Sequence, residues 1–308
     1  MNFQQLRIIR ETVRRNFNLT EVAHALSTSQ SGVSKHIKDL EDELGIELFV
    51  RRGKRLLGLT DAGREAIDIA ERIMLESNNL KEIGGRFAKG DEGTLRIATT
   101  HTQARYTLPP IITRFKELFP QVRLSINQAS AKEIGEFLLN DAADIGIATD
   151  TLNELPGLVA FPYYRWGHIV VVPVGHGLED KQPLTLDAIV EYPIITYDEG
   201  LTGRGRIDDA FAAASLVPDV ALSALDADVI KAYVELGLGI GIVASMAFDR
   251  EHDAKLRMLD CRHLFASSTS SLAIRRGRRL RGYAYRFIEL CAPELTEKVV
   301  RQKSDSRA

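Results

Sequence analysis

Apolar residues recur at helical spacing in three short runs through the N-terminal part of the chain, and polar turns separate these runs. The first run marks one face of a helix over residues 3–14. The next two runs fall within NLTEVAHALSTSQSGVSKHIKDLEDEL, residues 18–44, where Asn18 and Ser29 each stand at the position of a helix N-cap. The pattern predicts two short helices around a tight turn.

The second of these helices has two chemically different faces. Val33, Ile37 and Leu40 repeat at helical spacing and are expected to point inward. The opposite face carries the short polar and cationic side chains of Gln30, Ser31, Ser34, Lys35 and Lys38. Such side chains reach base edges and phosphates, so the helix is predicted to lie in a DNA major groove. The alternative is an amphipathic helical hairpin of an ordinary bundle.

A basic hairpin follows the two helices. Residues 46–60, IELFVRRGKRLLGLT, alternate in polarity and turn at a glycine, which is the pattern of a two-stranded wing. Arg51, Arg52 and Lys54 stand near its tip, where they are expected to contact the phosphate backbone. A solvated charged hairpin is the alternative. Residues 1–60 are therefore predicted to form a winged helix-turn-helix DNA-binding domain.

A long amphipathic helix is predicted next, beginning after Thr60. Its apolar stripe consists of Ala66, Ile69, Ile73, Leu80, Ile83 and Phe87. A stripe of this length exceeds what a short N-terminal domain is expected to cover, so a two-stranded coiled coil with a second chain is predicted. Residues 61–90 are thus interpreted as a dimerising linker helix with a hinge. A helix packed on its own domain is the alternative.

Beyond the linker, apolar strand patterns alternate with helical patterns of 10–15 residues. This alternation predicts an α/β domain with mainly parallel sheets. The chain is expected to leave the first sheet near Phe161–Tyr164 and to return near Phe265–Ser270. These two crossings predict two lobes with a cleft between them.

The predicted effector-binding domain covers residues 91–301 and is doubly wound, like periplasmic solute-binding proteins. Lobe I takes about residues 91–162 and 268–295, and lobe II takes about 163–267. YAYRFIELCAPEL is predicted as the last helix, and the polar residues 302–308 are predicted to be a disordered tail.

Composition limits the possible classes of protein. The 308 residues carry a net charge of −2, but residues 1–60 hold ten Lys and Arg against seven Asp and Glu. Two cysteines without a CxxC motif argue against a zinc cluster or a disulfide scaffold, and suit a reducing cytoplasm. No signal-peptide core and no run of about 18 apolar residues is present, so a soluble cytoplasmic protein without a membrane partner is expected.

The stretch ATTHTQARY, residues 98–106, stands where a predicted strand ends and a helix begins. Ligands of open α/β sheets bind at such places. Thr100, Thr102 and Gln103 offer neutral hydrogen-bond donors beside a helix start, which suits a small anion. Thr149 and Thr202 occupy comparable positions in the two lobes. The alternative is that each threonine only caps a helix or satisfies a turn.

The single tryptophan, Trp166, is predicted to form a wall of the cleft, with a place in the core of the lobe crossing as the alternative. No catalytic arrangement accompanies these residues, because GxSxG, HExxH, Walker and GxGxxG patterns do not occur in the sequence. The chain is therefore not expected to be an enzyme or to hold a metal ion or cofactor. A stand-alone solute-binding protein remains the competing class.

From end to end the chain resembles the LysR-type transcriptional regulators. LTEVAHALSTSQSGVSKHIKDLEDELGIELFVRRGKRLLGLTDAG carries the general family pattern. ATTHTQARY, EYPIITYDEGLTGR and DADVIKAYVELGLGIGI resemble the CysB/Cbl branch, which controls sulfur assimilation in bacteria. Many family members have proline after the recognition-helix glutamine, whereas this chain has Ser31.

The resemblance implies a homodimer that assembles to a homotetramer on promoter DNA and acts through RNA polymerase. It also implies that Thr100, Thr102 and Gln103 bind a sulfate-like oxyanion or another sulfur-pathway effector, such as acetylserine or adenosine phosphosulfate. Thr149 and Thr202 match the branch pattern less closely. A regulator that senses an unrelated small molecule is the alternative.

Overall fold

The computed structural model divides the chain into two compact units, residues 1–87 and 88–308. It describes residues 1–53, 55–88, 91–149, 151–181, 183–201 and 203–306. Two residues with predicted roles, Lys54 and Thr202, lie outside the described residues.

The first unit has the predicted order of three short helices, a hairpin and a long helix. Its elements are α1 (Phe3–Arg14), α2 (Leu19–Ala25), α3 (Gln30–Leu44), β1 (Phe49–Arg52), β2 (Arg55–Leu59) and α4 (Asp61–Ala88). Asn18 Oδ1 accepts from the N–H of Thr20 at 3.1 Å, and Ser29 Oγ accepts from that of Gly32 at 3.1 Å. Both predicted N-caps are confirmed, because these oxygens satisfy N–H groups that have no partner within the helix.

The long helix α4 is only partly covered by its own unit. Ala66, Ala70 and Ile73 pack against the core formed by α1–α3 and the hairpin. Leu80, further along the helix, is 70% exposed, and Ile83 is 47% exposed. The expectation that the whole stripe lacks a partner within the N-terminal unit is therefore wrong for its first half, because the helix begins directly against the hairpin.

The second unit contains two five-stranded sheets. The first sheet has the strand order β4-β3-β5-β12-β6, with β3 at Gly93–Thr99, β4 at Val122–Gln128, β5 at Ile145–Thr149, β6 at Leu158–Trp166 and β12 at Ser268–Arg275. The second has the order β11-β7-β10-β8-β9, with β7 at His168–Pro173, β8 at Ile194–Tyr197, β9 at Val220–Ala224, β10 at Ile240–Ala244 and β11 at Leu256–Asp260.

Helices cover both faces of each sheet, which is why the inner strands β5, β7 and β10 are buried almost throughout, whereas the edge strands β4, β9 and β11 are partly exposed. The α-helices are α5 (Leu108–Leu118), α6 (Ala131–Leu139), α7 (Leu186–Val190), α8 (Arg204–Ala213), α9 (Ala227–Glu235), α10 (Gly282–Cys291) and α11 (Glu297–Asp305). A π-helical turn, Gln103–Thr107, leads into α5, and short 3₁₀ turns span Thr151–Glu154, Gly177–Asp180 and Ser245–Ala247.

The sheets are mixed rather than mainly parallel as predicted. β3 pairs in parallel with β4 and β5, and β8 does so with β9 and β10. β12 is antiparallel to β5 and β6, and β7 is antiparallel to β10 and β11. β7 and β12, the strands that leave the two crossings, run against the other strands of their sheets, so the change of direction follows from the chain passing between the lobes.

The first crossing falls at Gly167, slightly beyond the predicted Phe161–Tyr164, because β6 stays paired with β12 as far as Trp166. The return crossing takes residues 261–267. The two-lobed architecture predicted from the alternation of strands and helices is confirmed.

The C-terminal segment differs from the prediction. The predicted last helix ends at Cys291, and α11 follows where residues after Arg301 were expected to be disordered. Val300 is fully buried, and Ser304 Oγ accepts a hydrogen bond from the N–H of Gly277 at 3.0 Å. These contacts order a segment whose polar composition suggested disorder. Within the described part of the chain, no helix is long and apolar enough to cross a membrane.

Candidate functional site

The outer face of α3 is the candidate DNA-contacting surface of the first unit. Gln30, Ser31, Lys35 and Lys38 are exposed on it, and Ser34 is half-buried. Val33, Ile37 and Leu40 are buried on the opposite face of the helix. The helix therefore combines an apolar inner face with an outer face of short polar and cationic groups, which is what base-edge and phosphate contacts require.

In the wing, Arg51 and Arg52 have different surroundings. Arg51 Nη2 donates to Glu41 Oε2 at 2.5 Å, and Glu41 Oε1 accepts from the N–H of Leu48 at 2.9 Å. Glu41 is buried at the end of α3, and a buried carboxylate needs a cation and donors around it. The guanidinium of Arg51 thus holds the hairpin to α3, whereas Arg52 is exposed near the tip.

A cleft of about 820 Å³ opens between the two lobes of the second unit. Lobe I contributes residues at the carboxyl ends of β3, β4 and β5, and lobe II contributes residues that follow β8 and β9. These lining residues include Thr100, His101, Gln128, Ser130, Thr149, Leu201, Gly203, Arg204, Arg206 and Asp226. Carboxyl ends of parallel strands are where α/β sheets bind ligands, and a cleft of this volume is large enough for a small metabolite.

Two of the helices that start at this cleft have their N-termini occupied by their own side chains. Glu133 Oε2 accepts from Ser130 N–H at 2.9 Å and from Ser130 Oγ at 2.7 Å, and these hydrogen bonds lower the pKa of Glu133. Asp226 caps α9 by accepting from the N–H of Val229 at 2.9 Å. Because each helix start already faces a carboxylate, an anionic ligand is disfavoured there.

The start of α8 is different. α8 begins after Gly203 without a side-chain cap or an acidic residue in its first turn, as far as the described residues show. The π-helical turn Gln103–Thr107 continues a helical segment that begins at His101, and a carboxylate oxygen of Asp226 lies within 4.8 Å of a ring nitrogen of His101. The N–H groups and the positive dipole end at the start of α8 therefore favour an anion more than the other helix starts of the cleft do.

The predicted effector-binding residues fall into two groups. Thr100 and Thr149 line the cleft and are partly exposed. Thr102, Gln103 and Trp166 are 1%, 1% and 4% exposed and lie beneath the cleft. Trp166 is not among the described residues that line the cleft, and its side chain lies in the core at the lobe crossing, which was the alternative to a place in the cleft wall.

Gln103 is held from both ends of its amide group. Its Nε2 donates to Ser270 Oγ at 2.8 Å, and its Oε1 accepts from the hydroxyl of Tyr163 at 3.0 Å. Trp166 Nε1 donates to the same Ser270 Oγ at 3.1 Å. These bonds direct both side chains into the interior of the unit.

Gln128 and Ser130 line the cleft but were not predicted. Gln128 ends β4, which lies beside β3, and Ser130 follows that strand; His101 Nδ1 is 3.0 Å from Gln128 Oε1. The rule that selected Thr100 and Thr149 as strand-end residues would have selected Gln128 as well, because all three strands run in the same direction.

Asp228 ties the two lobes together. It accepts from the Tyr106 hydroxyl at 2.6 Å and from Arg105 Nε at 3.2 Å, both from lobe I. Lys231, itself paired with Asp253 at 2.9 Å, lies 3.5 Å from the same carboxylate. We call Arg105, Tyr106, Asp228 and Lys231 the inter-lobe latch.

The latch keeps its carboxylate charged. Burial acts to raise the pKa of Asp228, but the hydrogen bond from Tyr106 and the charges of Lys231 and Arg105 outweigh it, and the pKa is lowered. Burial and the bond to Asp228 raise the pKa of the Tyr106 hydroxyl, so this group remains a donor. The latch is thus intact at neutral pH.

His101, Asp226 and Asp228 come close enough to suggest a metal site, since one ligand atom from each lies within 4.8 Å of the others. However, both oxygens of Asp228 already accept hydrogen bonds, from Tyr106 and Arg105. Arg105 and Lys231 also supply the positive charge that an ion would bring. We therefore assign no metal ion to this cluster.

A DNA-binding helix-turn-helix unit followed by a two-lobed ligand-binding unit defines the class of protein. The family model of bacterial regulatory helix-turn-helix proteins of the LysR family matches residues 3–64. The family model of the LysR substrate-binding domain matches residues 88–296. The chain belongs to the LysR family of transcriptional regulators.

Similar proteins cover almost the whole chain. The transcriptional regulator SsuR of Burkholderia cenocepacia is 56% identical over 96% of each chain. Cbl of Escherichia coli is 54% identical over 99% of this chain and 97% of its own, and CysB of B. cenocepacia is 50% identical over 98% and 96%. The predicted resemblance to the CysB/Cbl branch is confirmed.

Solved structures agree with the fold. The cofactor-binding domain of the Cbl transcriptional regulator matches with a TM-score of 0.67 and 51% identity, over 70% of this chain and 95% of that domain. Full-length OxyR of Pseudomonas aeruginosa matches with a TM-score of 0.68 over 96% of this chain and 94% of its own, at 20% identity, and this likeness concerns the fold alone.

Tyr106→Phe removes the shortest bond of the latch and should destabilise the protein by about 1 kcal/mol at neutral pH, after a discount for solvent screening of the half-exposed Asp228. Because the pKa of Asp228 is lowered in the folded protein, the loss should be fully present above the ordinary pKa of an aspartate. This loss of stability should become smaller as the pH falls through the lowered pKa that Asp228 has in the folded protein. Thermal unfolding of the full chain at several pH values measures this.

Tyr233→Phe is the control, because Tyr233 lies in α9, the helix that carries Asp228, is 37% exposed and makes no hydrogen bond among the described residues. Equal stability of the Tyr106→Phe and Tyr233→Phe variants would contradict the prediction that the latch stabilises the folded protein.

Proposed function

We propose that this regulator binds promoters of sulfur-metabolism genes through α3 and the wing, and binds a small anionic or sulfur-pathway effector in its cleft. The observation that carries the effector part is that Thr100, Thr149 and the uncapped start of α8 lie around one cleft. The similarity to SsuR, Cbl and CysB along the whole chain supports the choice of target genes.

The chemistry of the cleft favours a ligand that accepts hydrogen bonds at one end. Threonine hydroxyls and backbone N–H groups donate to a sulfate-like oxyanion without requiring a counter-charge. The cleft also has space beyond an inorganic anion, since it encloses about 820 Å³. Sulfate, acetylserine and adenosine phosphosulfate are therefore the effectors to compare.

The effector acts by shifting a population of lobe arrangements. Thr100 contacts the cleft, and Tyr106, six residues later in the same segment, belongs to the latch. A ligand that binds one arrangement of the lobes better than another changes their equilibrium by that difference in affinity. The segment from Thr100 to Tyr106 links this change to the contact between lobes.

The protein acts as a cytoplasmic homodimer joined through α4, and two dimers form a tetramer on DNA. Ile69, Leu80 and Ile83 are between 47% and 70% exposed in the single chain, so pairing of two helices would remove apolar surface from water. Assembly to a tetramer and activation through RNA polymerase are taken from the family resemblance.

The experiment that tests the function is a gel-shift assay with promoter fragments of sulfur-metabolism genes, with and without each of the three candidate effectors. A regulator gives a specific shift that at least one effector changes. A stand-alone solute-binding protein would bind effector and give no specific shift. An enzyme would consume the ligand.

Gln30→Ala should weaken specific promoter binding by about 1–3 kcal/mol, because its amide reaches a base edge. Lys35→Ala should weaken binding to all DNA sequences about equally, because it removes one phosphate contact. The slope of log affinity against log salt concentration should fall by about one. Fluorescence anisotropy at several salt concentrations measures both effects. Lys298→Ala, an exposed lysine of α11, is the control, and unchanged affinity of both α3 variants would exclude α3 from the interface.

Thr100→Ala and Thr149→Ala should each weaken effector binding about tenfold or more, since each removes a donor to a charged group worth about 1.5–3 kcal/mol. DNA binding without effector should be retained. Isothermal titration calorimetry measures the affinity, with Thr113→Ala of α5 as the control, because its hydroxyl bonds to Pro109 O outside the cleft. Normal effector affinity of both cleft variants would place the site elsewhere.

Leu80→Asp should raise the dissociation constant of the dimer at least about tenfold, because it places an unpaired charge in the proposed helix pair. Leu80 is a sharper test than Ile73, which also packs in the core of its own unit. Analytical ultracentrifugation measures the change, with the exposed Lys81→Ala as the neighbouring control. A variant dimer as stable as the wild type would exclude this seam.

A further inference from the structure

Ser270 lies where the strands that join the two lobes meet. On β12 it faces Thr149 of β5 on one side and Tyr164 of β6 on the other. The pairing with β6 shifts register between Ser270 and Ser271, near the start of the strand that returns from lobe II. The residue is fully buried, so its hydroxyl has to find its partners within the protein.

Three side chains from three different elements surround this hydroxyl. Gln103 Nε2 lies 2.8 Å away, Trp166 Nε1 lies 3.1 Å away, and Thr149 Oγ1 lies 3.5 Å away. Gln103 belongs to the π-helical turn, Trp166 ends β6 at the crossing, and Thr149 lines the cleft. One buried oxygen thus joins the cleft to the crossing.

The direction of each hydrogen bond follows from the donors available. The indole N–H of Trp166 can only donate. Gln103 Oε1 accepts from Tyr163, so its Nε2 is the group that faces Ser270 and donates to it. A serine hydroxyl has two acceptor sites and one proton, and both acceptor sites are then used. The proton of Ser270 is left to point at Thr149 Oγ1.

The bond to Thr149 is the longest of the three, and Thr149 is the partner that a ligand can reach. A ligand that moves the Thr149 hydroxyl therefore changes the bond from Ser270. The position of Ser270 in turn determines where the indole of Trp166 donates. A displacement of Thr149 in the cleft can therefore reach Trp166 at the lobe crossing through the hydrogen bonds of Ser270.

We propose that Ser270 is a positioning residue of the effector site, which holds Thr149 in place and couples effector occupancy to Trp166 at the crossing. This inference rests on the proposed function in one respect, namely that the cleft binds the effector. Ser270 itself is buried and is not among the described residues that line the cleft.

The neighbouring residue provides a matched control. Ser271 is 1% exposed, lies on the same strand, and its Oγ has no hydrogen-bond partner within the described part of the chain. Ser271→Ala removes the same atoms from the same strand without removing the connection. A difference in ligand affinity or in fluorescence between Ser270→Ala and Ser271→Ala therefore reports the loss of the hydrogen bonds of Ser270, and not merely the loss of a buried hydroxyl group.

Trp166 is the single tryptophan of the chain, so its fluorescence reports on this connection directly. Without ligand, Ser270→Ala should shift the emission of the full-length protein, because the indole N–H loses its acceptor, and Ser271→Ala should leave it unchanged. Circular dichroism checks that both variants are folded. Ser270→Cys, which keeps the size of the side chain and a weak acceptor, should give an intermediate shift and serves if the alanine variant does not fold.

In the second arm, sulfate, O-acetylserine and adenosine phosphosulfate are titrated into the wild type and both variants, with binding measured by calorimetry and by Trp166 emission. The wild type and Ser271→Ala should bind one of these ligands equally and change their emission. Ser270→Ala should bind it at least tenfold more weakly, with no change in emission.

Equal affinity and an equal emission response of Ser270→Ala and Ser271→Ala would overturn the role of Ser270 while leaving the proposed function in place. No binding of any of the three ligands by the wild type would overturn the proposed effector site and this inference with it.

Discussion

The second unit depends on a hinge made of two antiparallel strands that continue from one sheet into the other. β6 and β12 are neighbours at one edge of the first sheet, and β7 and β11 are neighbours at one edge of the second. The crossing at Gly167 joins β6 to β7, and residues 261–267 join β11 to β12. Any motion of one lobe relative to the other must bend this ribbon, so contacts beside it control how the lobes can be arranged.

Charge then decides where in the cleft an anion can lie. Glu133 and Asp226 fill two of the helix starts around it, and both are held there by backbone N–H groups. Their negative charge disfavours a second anion nearby, whereas the start of α8 has no side-chain cap and no acidic residue in its first turn among the described residues. The start of α8 is therefore the helix start that best suits the proposed anionic ligand.

The sequence predicted the parts of the fold that local chemistry controls, and missed those that depend on distant partners. The caps at Asn18 and Ser29 follow from short-range hydrogen bonds and were predicted correctly. Gln103 and Trp166 are buried and donate hydrogen bonds to Ser270, which is more than 100 residues away from each, and strand-end position says nothing about the direction of a side chain. The salt bridge from Arg51 to Glu41 and the docking of α11 were missed for the same reason.

The two halves of α4 differ in the partner that their apolar residues have. Ile73 contacts the core of its own unit, so its burial needs no second chain. Leu80 is 70% exposed, and no described residue of the first unit covers it. A regular apolar repeat that continues past the edge of its own domain is stable in water mainly when another helix covers it. The first half of α4 therefore packs on its own unit and stabilises it. The second half is the part available to pair with a second chain and so to bring two copies of α3 to one DNA site. Two copies related by a twofold axis recognise a site with matching half-sites, which a single short helix could not distinguish from the many similar sequences in a genome.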